Sequence, residues 1–393
     1  MAEVNKLNGF LEKRFPKIAL VAGIIGICGA IILGREDSTQ FFYSYLVSYL
    51  FFLTISLGAL FFVIIQHLTR AGWSVGLRRI PEHLMANLSL MAVLFIPILL
   101  GLHDLYHWSD TAEVLHDALL LKKAPFLNVP FFIVRAVLYF ASWIWLARFF
   151  FKNSTDQDKS GDKGLTLSMQ KVSAVAILIY ALTQTFSAID WIMSLTPHWF
   201  STMIGVYIFA GGILTSICTI SLIALLLRRF GYLRETINVE HYHDLGKLIF
   251  GFVIFWAYIG FSQYFLIWYA NIPEETEWYL HHISGNWNTF AIFIIVFHFV
   301  VPFFLFASRH AKRNLKLHTG VVLLLITMHF FELYWVVMPN FSHHGIHVSS
   351  LDFLCFLGIF GIYTSVLFFR MGKFSLYPLK DPRLKESQDF INH

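Results

Sequence analysis

The sequence predicts an all-α integral membrane protein of about ten transmembrane helices. Two observations of composition and one of charge placement carry that reading. Of 393 residues, 57% are hydrophobic and 13% are charged, about half the charged share of roughly 25% that an ordinary water-covered domain carries. The apolar residues gather into ten stretches, each near the roughly 20 residues that a helix needs to cross a bilayer. Of the 29 Lys and Arg, all but Arg35, Lys122, Lys123 and Arg135 lie at the two ends of the chain or in every second gap between stretches. That asymmetry is the positive-inside pattern, so both termini are expected on the cytoplasmic side. The formal charge of +5 then records orientation and gives no reason to invoke nucleic acid.

The first expected span, 17–34, follows Lys6, Lys13, Arg14 and Lys17. It ends in Leu33-Gly34-Arg35-Glu36, a poor signal-peptidase site, so it is expected to stay in place as a membrane helix. The second covers 42–66 and the third 84–103, with Arg70, Arg78 and Arg79 in the polar gap between them. After a long gap at 103–128 comes the fourth, 129–150. The polar run from Lys152 to Gly164 reads as a mobile connector to the fifth, 171–195. The remaining spans are 201–227, 247–270, 287–308, 318–338 and 350–370. Asp190-Trp191 is followed by Pro197, and Glu332 by Trp335 and Pro339, with each Pro seven residues after its acid and the two spans four apart. This echo suggests two related four-helix bundles, about 42–195 and 201–338, flanked by the first and last spans.

Cys28, Cys218 and Cys355 lie in apolar stretches and form no Cys-x-x-Cys pair. A thiolate-held cluster, c-type haem attachment and a disulfide framework are therefore excluded, and no redox cofactor is expected to be bound by a ligand motif of this chain. Ionisable groups at bilayer depth are costly and are functional candidates by default. Arg135, Asp190, Gln263, His329 and Glu332 all fall in the half of their spans away from the termini, where His103 and Asp104 close the third span and Asp352 opens the tenth. Arg135 paired with Asp190 or Glu332 would be structural glue between helices. His329 and Glu332, three residues apart, share a helix face and suit proton handling. His298 reads as a packing histidine rather than a ligand. His281-His282, His343-His344 and His347 read as wet surface rather than metal ligands. Glu274, Glu275 and Glu277 beside Trp278 and Tyr279 suit either a solvated surface or a partner interface.

Three runs carry a resemblance: Lys122-Lys123-Ala124-Pro125-Phe126-Leu127-Asn128-Val129-Pro130-Phe131-Phe132, Ala181-Leu182-Thr183-Gln184-Thr185-Phe186-Ser187-Ala188-Ile189-Asp190-Trp191, and Phe261-Ser262-Gln263-Tyr264 through Asn271-Ile272-Pro273-Glu274-Glu275-Thr276. They resemble the NrfD-like family, related to the polysulfide-reductase membrane subunit, and within it the smaller such subunit of bacterial alternative complex III. The likeness extends over nearly the whole chain. It implies ten helices in two four-helix bundles, a place in the bacterial inner membrane, and membership of a quinol:electron-acceptor oxidoreductase. It further implies quinol, such as menaquinol, as the substrate of the assembly. The partners it implies are a larger sister NrfD-like subunit, periplasmic iron–sulfur and multihaem cytochrome c subunits, a terminal oxidase and membrane lipid, with haem c and iron–sulfur clusters held by those partners. In the sister subunit the quinol pocket is expected to use a His at the end of one helix and an acid on the next. Here His103 matches the first, but the next span presents Arg135, which stays protonated and is no base.

Three functions remain open. The first is a scaffold and proton-transfer subunit, with Asp190, His329, Glu332 and Asp352 as proton-active groups and Arg135 biasing them. The second is a quinol-binding subunit using His103, Asp104, Arg135 and Gln263. The third is a secondary transporter with a helix-bundle substrate site, for which Pro97, Pro302, Gly205, Gly211 and Gly212 would break helices, although no midplane charge pair is apparent.

Overall fold

The computed structural model describes residues 6–342 and 345–392, which leaves His343 and His344 outside the described residues. It contains ten helices long and apolar enough to cross a membrane and no strand among the described residues. The chain is an all-α, multi-pass membrane protein. We label its spans α1 (Phe15–Leu33), α2 (Ser38–Leu68), α3 (Arg79–Leu100), α4 (Val129–Ser160), α5 (Lys163–Trp191), α6 (Ile204–Arg229), α7 (Val239–Ala270), α8 (Asn286–Ala307), α9 (Leu315–Val337) and α10 (Ser350–Lys373). Ten crossings bring both chain ends to one face of the bundle, here the terminal face; the other is the distal face.

Local chemistry sets the helix starts. The side chains of Asp37, Asn128, Asp162, Asn238, Asn314 and Ser349 each accept a backbone N–H of the first turn that has no partner within the helix. Ser349 and Asp352 close a reciprocal capping box at α10. The expected mobile connector between the fourth and fifth spans is absent. Instead α4 continues to Ser160, Gly161 turns the chain at φ 71°, and α5 begins at Lys163. The polar run is helical because its side chains have partners: Gln157 donates to Thr166 Oγ1 at 2.7 Å, and Asp158 accepts from Arg79 at 2.6 Å and from the Leu379 N–H at 2.7 Å. A glycine is required at 161 because the left-handed conformation is costly for a residue with a Cβ.

Two expected breaks occur. Pro97 lies in the first turn of a new helical segment, Ile96–Leu100, within α3. Pro302 follows a π-helical stretch, Ile295–Val300, within α8. Pro302 has no N–H to return to the carbonyl of His298 and its ring crowds that carbonyl, which widens the backbone around His298.

Helix α2 is the axis of the fold. It is buried along almost its whole length and packs on α3, α5, α6, α9 and α10. Helix α6 is nearly as enclosed and joins α2 to α5, α7 and α9. Helix α1 packs chiefly on α10 through small residues that let the backbones meet. A Cβ on Gly26 would lie 2.5 Å from Gly358 N, and one on Gly361 2.5 Å from Ala19 O.

On the terminal face, the residues after α10 form a strap. Asp381 pairs with Arg78, Ser387 donates to Trp73 O at 2.6 Å, Phe390 O accepts from Asn238 at 2.9 Å, and Asn392 donates to Asp244 at 2.8 Å. It thus spans from the α2–α3 turn to α7. Arg78 and Arg79, expected as water-facing loop cations, are 3% and 0% exposed. They are buried because Glu82, Asp158 and Asp381 converge on them.

Candidate functional site

The densest ionisable group near the middle of the bundle is built on α9. Glu332 is 1% exposed, and three side chains from three helices surround its carboxylate. Trp256 of α7 donates its indole N–H to Oε1 at 2.6 Å. His329, one turn earlier on α9, places Nδ1 2.8 Å from Oε2. His298 of α8, itself fully buried, places Nδ1 3.7 Å from the same oxygen. The opposite wall is Gly211 of α6, where a Cβ would come within 2.8 Å of Oε2 and 2.9 Å of the His329 ring. Any larger residue there would fill the space that the imidazole occupies.

Hydrogen bonding fixes where the protons sit. Thr54 of α2 has one hydroxyl proton and directs it to Phe51 O at 3.0 Å. Thr54 Oγ1 must therefore accept from His329 Nε2, also at 3.0 Å, so Nε2 carries a hydrogen. One proton is left for the 2.8 Å line between Nδ1 and Oε2. It lies on the nitrogen, giving an imidazolium–carboxylate pair, or on the oxygen, giving a neutral pair. His298 stands alongside with both ring nitrogens buried and without a hydrogen-bond partner, its ring stacked on Trp256 at 4.1 Å between centroids. Orphaned buried nitrogens are rare and costly. One of them carries a hydrogen and the other a lone pair in the neutral ring, and Nδ1 is the one that faces the Glu332 carboxylate. A small cavity of about 20 Å³ between α2, α5 and α6 reaches Thr54, with further polar atoms at Tyr180, Gln184, Ser187 and Trp191.

Asp190 and Arg135 form a different unit. The guanidinium grips the carboxylate in bidentate fashion, at 2.7 and 2.9 Å, donates to Phe126 O at 2.7 Å, and lies over the Phe126 and Phe131 rings. Tyr139 adds a third bond to Asp190 at 2.7 Å. The pair clamps α4 to α5, and Arg135 shares no partner with Glu332. Asp352, expected as a proton-transfer group, caps α10 and accepts from Ser44 at 2.6 Å and from the Ser349 N–H at 2.9 Å.

The quinol-binding candidates fall into four separate networks. His103 is exposed and meets Ser109 Oγ at 3.0 Å, while Asp104 accepts from Ser38 and Thr39 at the start of α2. Arg135 is in the clamp. Gln263 accepts from Ser201 at 3.0 Å and donates to the Tyr279 hydroxyl at 3.2 Å. Among the described residues, no three His, Cys, Asp or Glu side chains converge as metal ligands.

No protein-family model matches the chain, and no curated protein matches it either.

Three members of the buried polar groups escaped the sequence reading as functional candidates. His298 was read as packing alone; Pro302, four residues on, is the signal that its backbone is irregular. Trp256 was one tryptophan among eleven. Glu82 precedes the third span expected at 84–103, and its signal is the charge ladder that Arg78 and Arg79 form with it at i−4 and i−3. Burial works against the charge on Arg78, but Asp381 and Glu82 outweigh it and hold its pKa above the ordinary value.

Proposed function

We propose that this chain is a scaffold and proton-transfer subunit of a bacterial quinol:electron-acceptor oxidoreductase of the alternative complex III kind, set in the cytoplasmic membrane with both termini in the cytoplasm. The observation that carries the proton role is Glu332, held near mid-bundle between His329 and the unpartnered His298. In this reading the proton shared by His329 and Glu332 passes to the His298 lone pair. A ring shift of under about 1 Å brings the 3.7 Å separation into hydrogen-bond range. The complex membership rests on the resemblance of the runs at 122–132, 181–191 and 261–276, and the orientation rests on the cation asymmetry.

Quinol oxidation and the haem c and iron–sulfur carriers belong, on this proposal, to the sister and periplasmic subunits. Arg135 is committed to Asp190 and Phe126 O, and His103 has a serine rather than an acid beside it. A second reading, a proton-coupled secondary transporter, is favoured by one observation: the π-helical interruption of α8 at a mid-bundle ionisable cluster.

Purification through a tag in mild detergent separates the two. Co-purifying subunits are read by mass spectrometry, and c-haem absorbance is followed on adding a quinol analogue. Haem reduced by quinol in the preparation is the expected result. A solitary, haem-free protein from intact membranes would overturn the complex and favour transport.

A further inference from the structure

We propose that the groove on the outward face of α4, at its terminal-face end, binds the headgroup of an anionic phospholipid. The outward residues of α4 recur every three or four positions: Phe131, Val134, Leu138, Ala141 and Trp145 are all exposed on one side of the helix. The next positions of the same stripe are Arg148 and Lys152, also exposed. From Phe131 to Arg148 the helix rises about 26 Å at 1.5 Å per residue, close to the hydrocarbon thickness of about 30 Å. Trp145 therefore sits in the interfacial belt, with the two cations at headgroup depth.

The groove, open to the outside, has a volume of about 410 Å³ and is lined by Ala141, Ile144, Trp145, Arg148, Phe149 and Lys152. It has an apolar wall, and its only charged residues are the two cations at its terminal end. Neither side chain has an ion-pair or hydrogen-bond partner among the described residues. The nearest acids along the helix are engaged elsewhere: Asp156 with Lys159 at 3.4 Å, and Asp158 with Arg79. Helix α5 adds a third cation at the same depth. Gln157 meets Thr166 and Trp143 meets Thr183, so Lys152 faces roughly position 172. Lys171 lies exposed in the outward stripe of Leu167, Val175, Leu178 and Leu182, again without a partner. Unpaired cations above an apolar wall that opens to the bilayer fit a phosphate carried on acyl chains.

The test uses the whole chain in mixed phosphatidylcholine–phosphatidylglycerol nanodiscs, with retained lipid read by native mass spectrometry. Wild type is expected to retain phosphatidylglycerol preferentially. R148Q/K152Q should lose that preference by roughly five- to thirty-fold, the range for one to two cations at an anionic surface. K152Q alone should give about the single-cation loss, which keeps the test decisive if the double variant does not fold. Equal retention by wild type and variant overturns the site. Loss of the bound phosphatidylglycerol on adding inorganic phosphate overturns the commitment to lipid, as does a polypeptide cross-linked at Lys152 in native membranes with no lipid enrichment.

Discussion

Glu332 is the residue whose removal is most informative. Glutamine keeps the Trp256 hydrogen bond but cannot exchange a proton with His329. Glu332→Gln is therefore expected to leave assembly intact and slow coupled proton movement on the order of a hundredfold, measured with a pH dye in proteoliposomes of the intact complex. An unchanged proton-to-electron ratio in the assembled variant would remove Glu332 from the path. Arg135 gives the contrasting case. Arg135→Leu strands the Asp190 carboxylate among apolar side chains and should destabilise the fold by about 3–5 kcal/mol. The double change Arg135→Leu with Asp190→Leu should recover most of that loss. Melting in detergent checks both, and a wild-type melting temperature in the single variant would mean that Asp190 is reached by water.

At the scale of the element, the most telling feature is the widened turn of α8. Pro302→Ala restores the N–H that closes on the His298 carbonyl and should return Ile295–Val300 to α-helical spacing, rotating His298 away from Glu332. Stability should hold or rise while proton transfer falls. Full activity with a restored helix would show that the π turn has no part in placing the imidazole. The distal loop offers a pH test. Asp117 accepts from the Leu119 and Leu120 N–H groups and meets His198 at 2.5 Å. Chiefly the Leu120 N–H, and after it His198, hold the Asp117 carboxyl below its usual range. A depressed carboxylate stabilises the loop above the unfolded pKa and loses that effect as pH falls through the folded one. Hydrogen exchange at Leu119 and Leu120 should therefore quicken below about pH 4, and Asp117→Ala should show fast exchange at every pH.

The ten spans were readable from composition because lipid imposes a length and an apolarity on every helix, and the His329–Glu332 spacing was readable because it is local. What the sequence could not supply was contact between distant segments. Nothing near Lys152–Gly164 says that Arg79 and Leu379 will hold Asp158 and draw that polar run into a helix. Nothing near His298 names Glu332 or Trp256, which come from two other spans. Arg78 and Arg79 differ from expectation for the same reason: in a one-dimensional reading an arginine in a polar gap faces water, and of the carboxylates that enclose the two only Glu82 is local, while Asp158 and Asp381 lie about 80 and 300 residues away.

Across the whole molecule, the strap after α10 closes the terminal face by bonding to segments otherwise far apart in the chain. Asp381→Ala removes one of the two carboxylates that neutralise the buried Arg78 guanidinium and leaves it only Glu82, which Arg79 shares. A loss of several kcal/mol is expected, with faster proteolysis of residues 375–392 as the local readout. Wild-type proteolysis in this variant would place the strap's anchorage at Ser387 and Asn392 instead.

The pairing of α1 with α10 has a consequence in time. Helix α1 leaves the ribosome well before α10, its main protein neighbour. At 5–20 residues per second, the intervening sequence takes on the order of half a minute to synthesise. Through that interval Gly23 and Gly26 face lipid or the insertion machinery, and the second to ninth helices must assemble without the flank that α1 later covers. The enclosed core can therefore form before α1 docks, and that docking waits until α10 has been made.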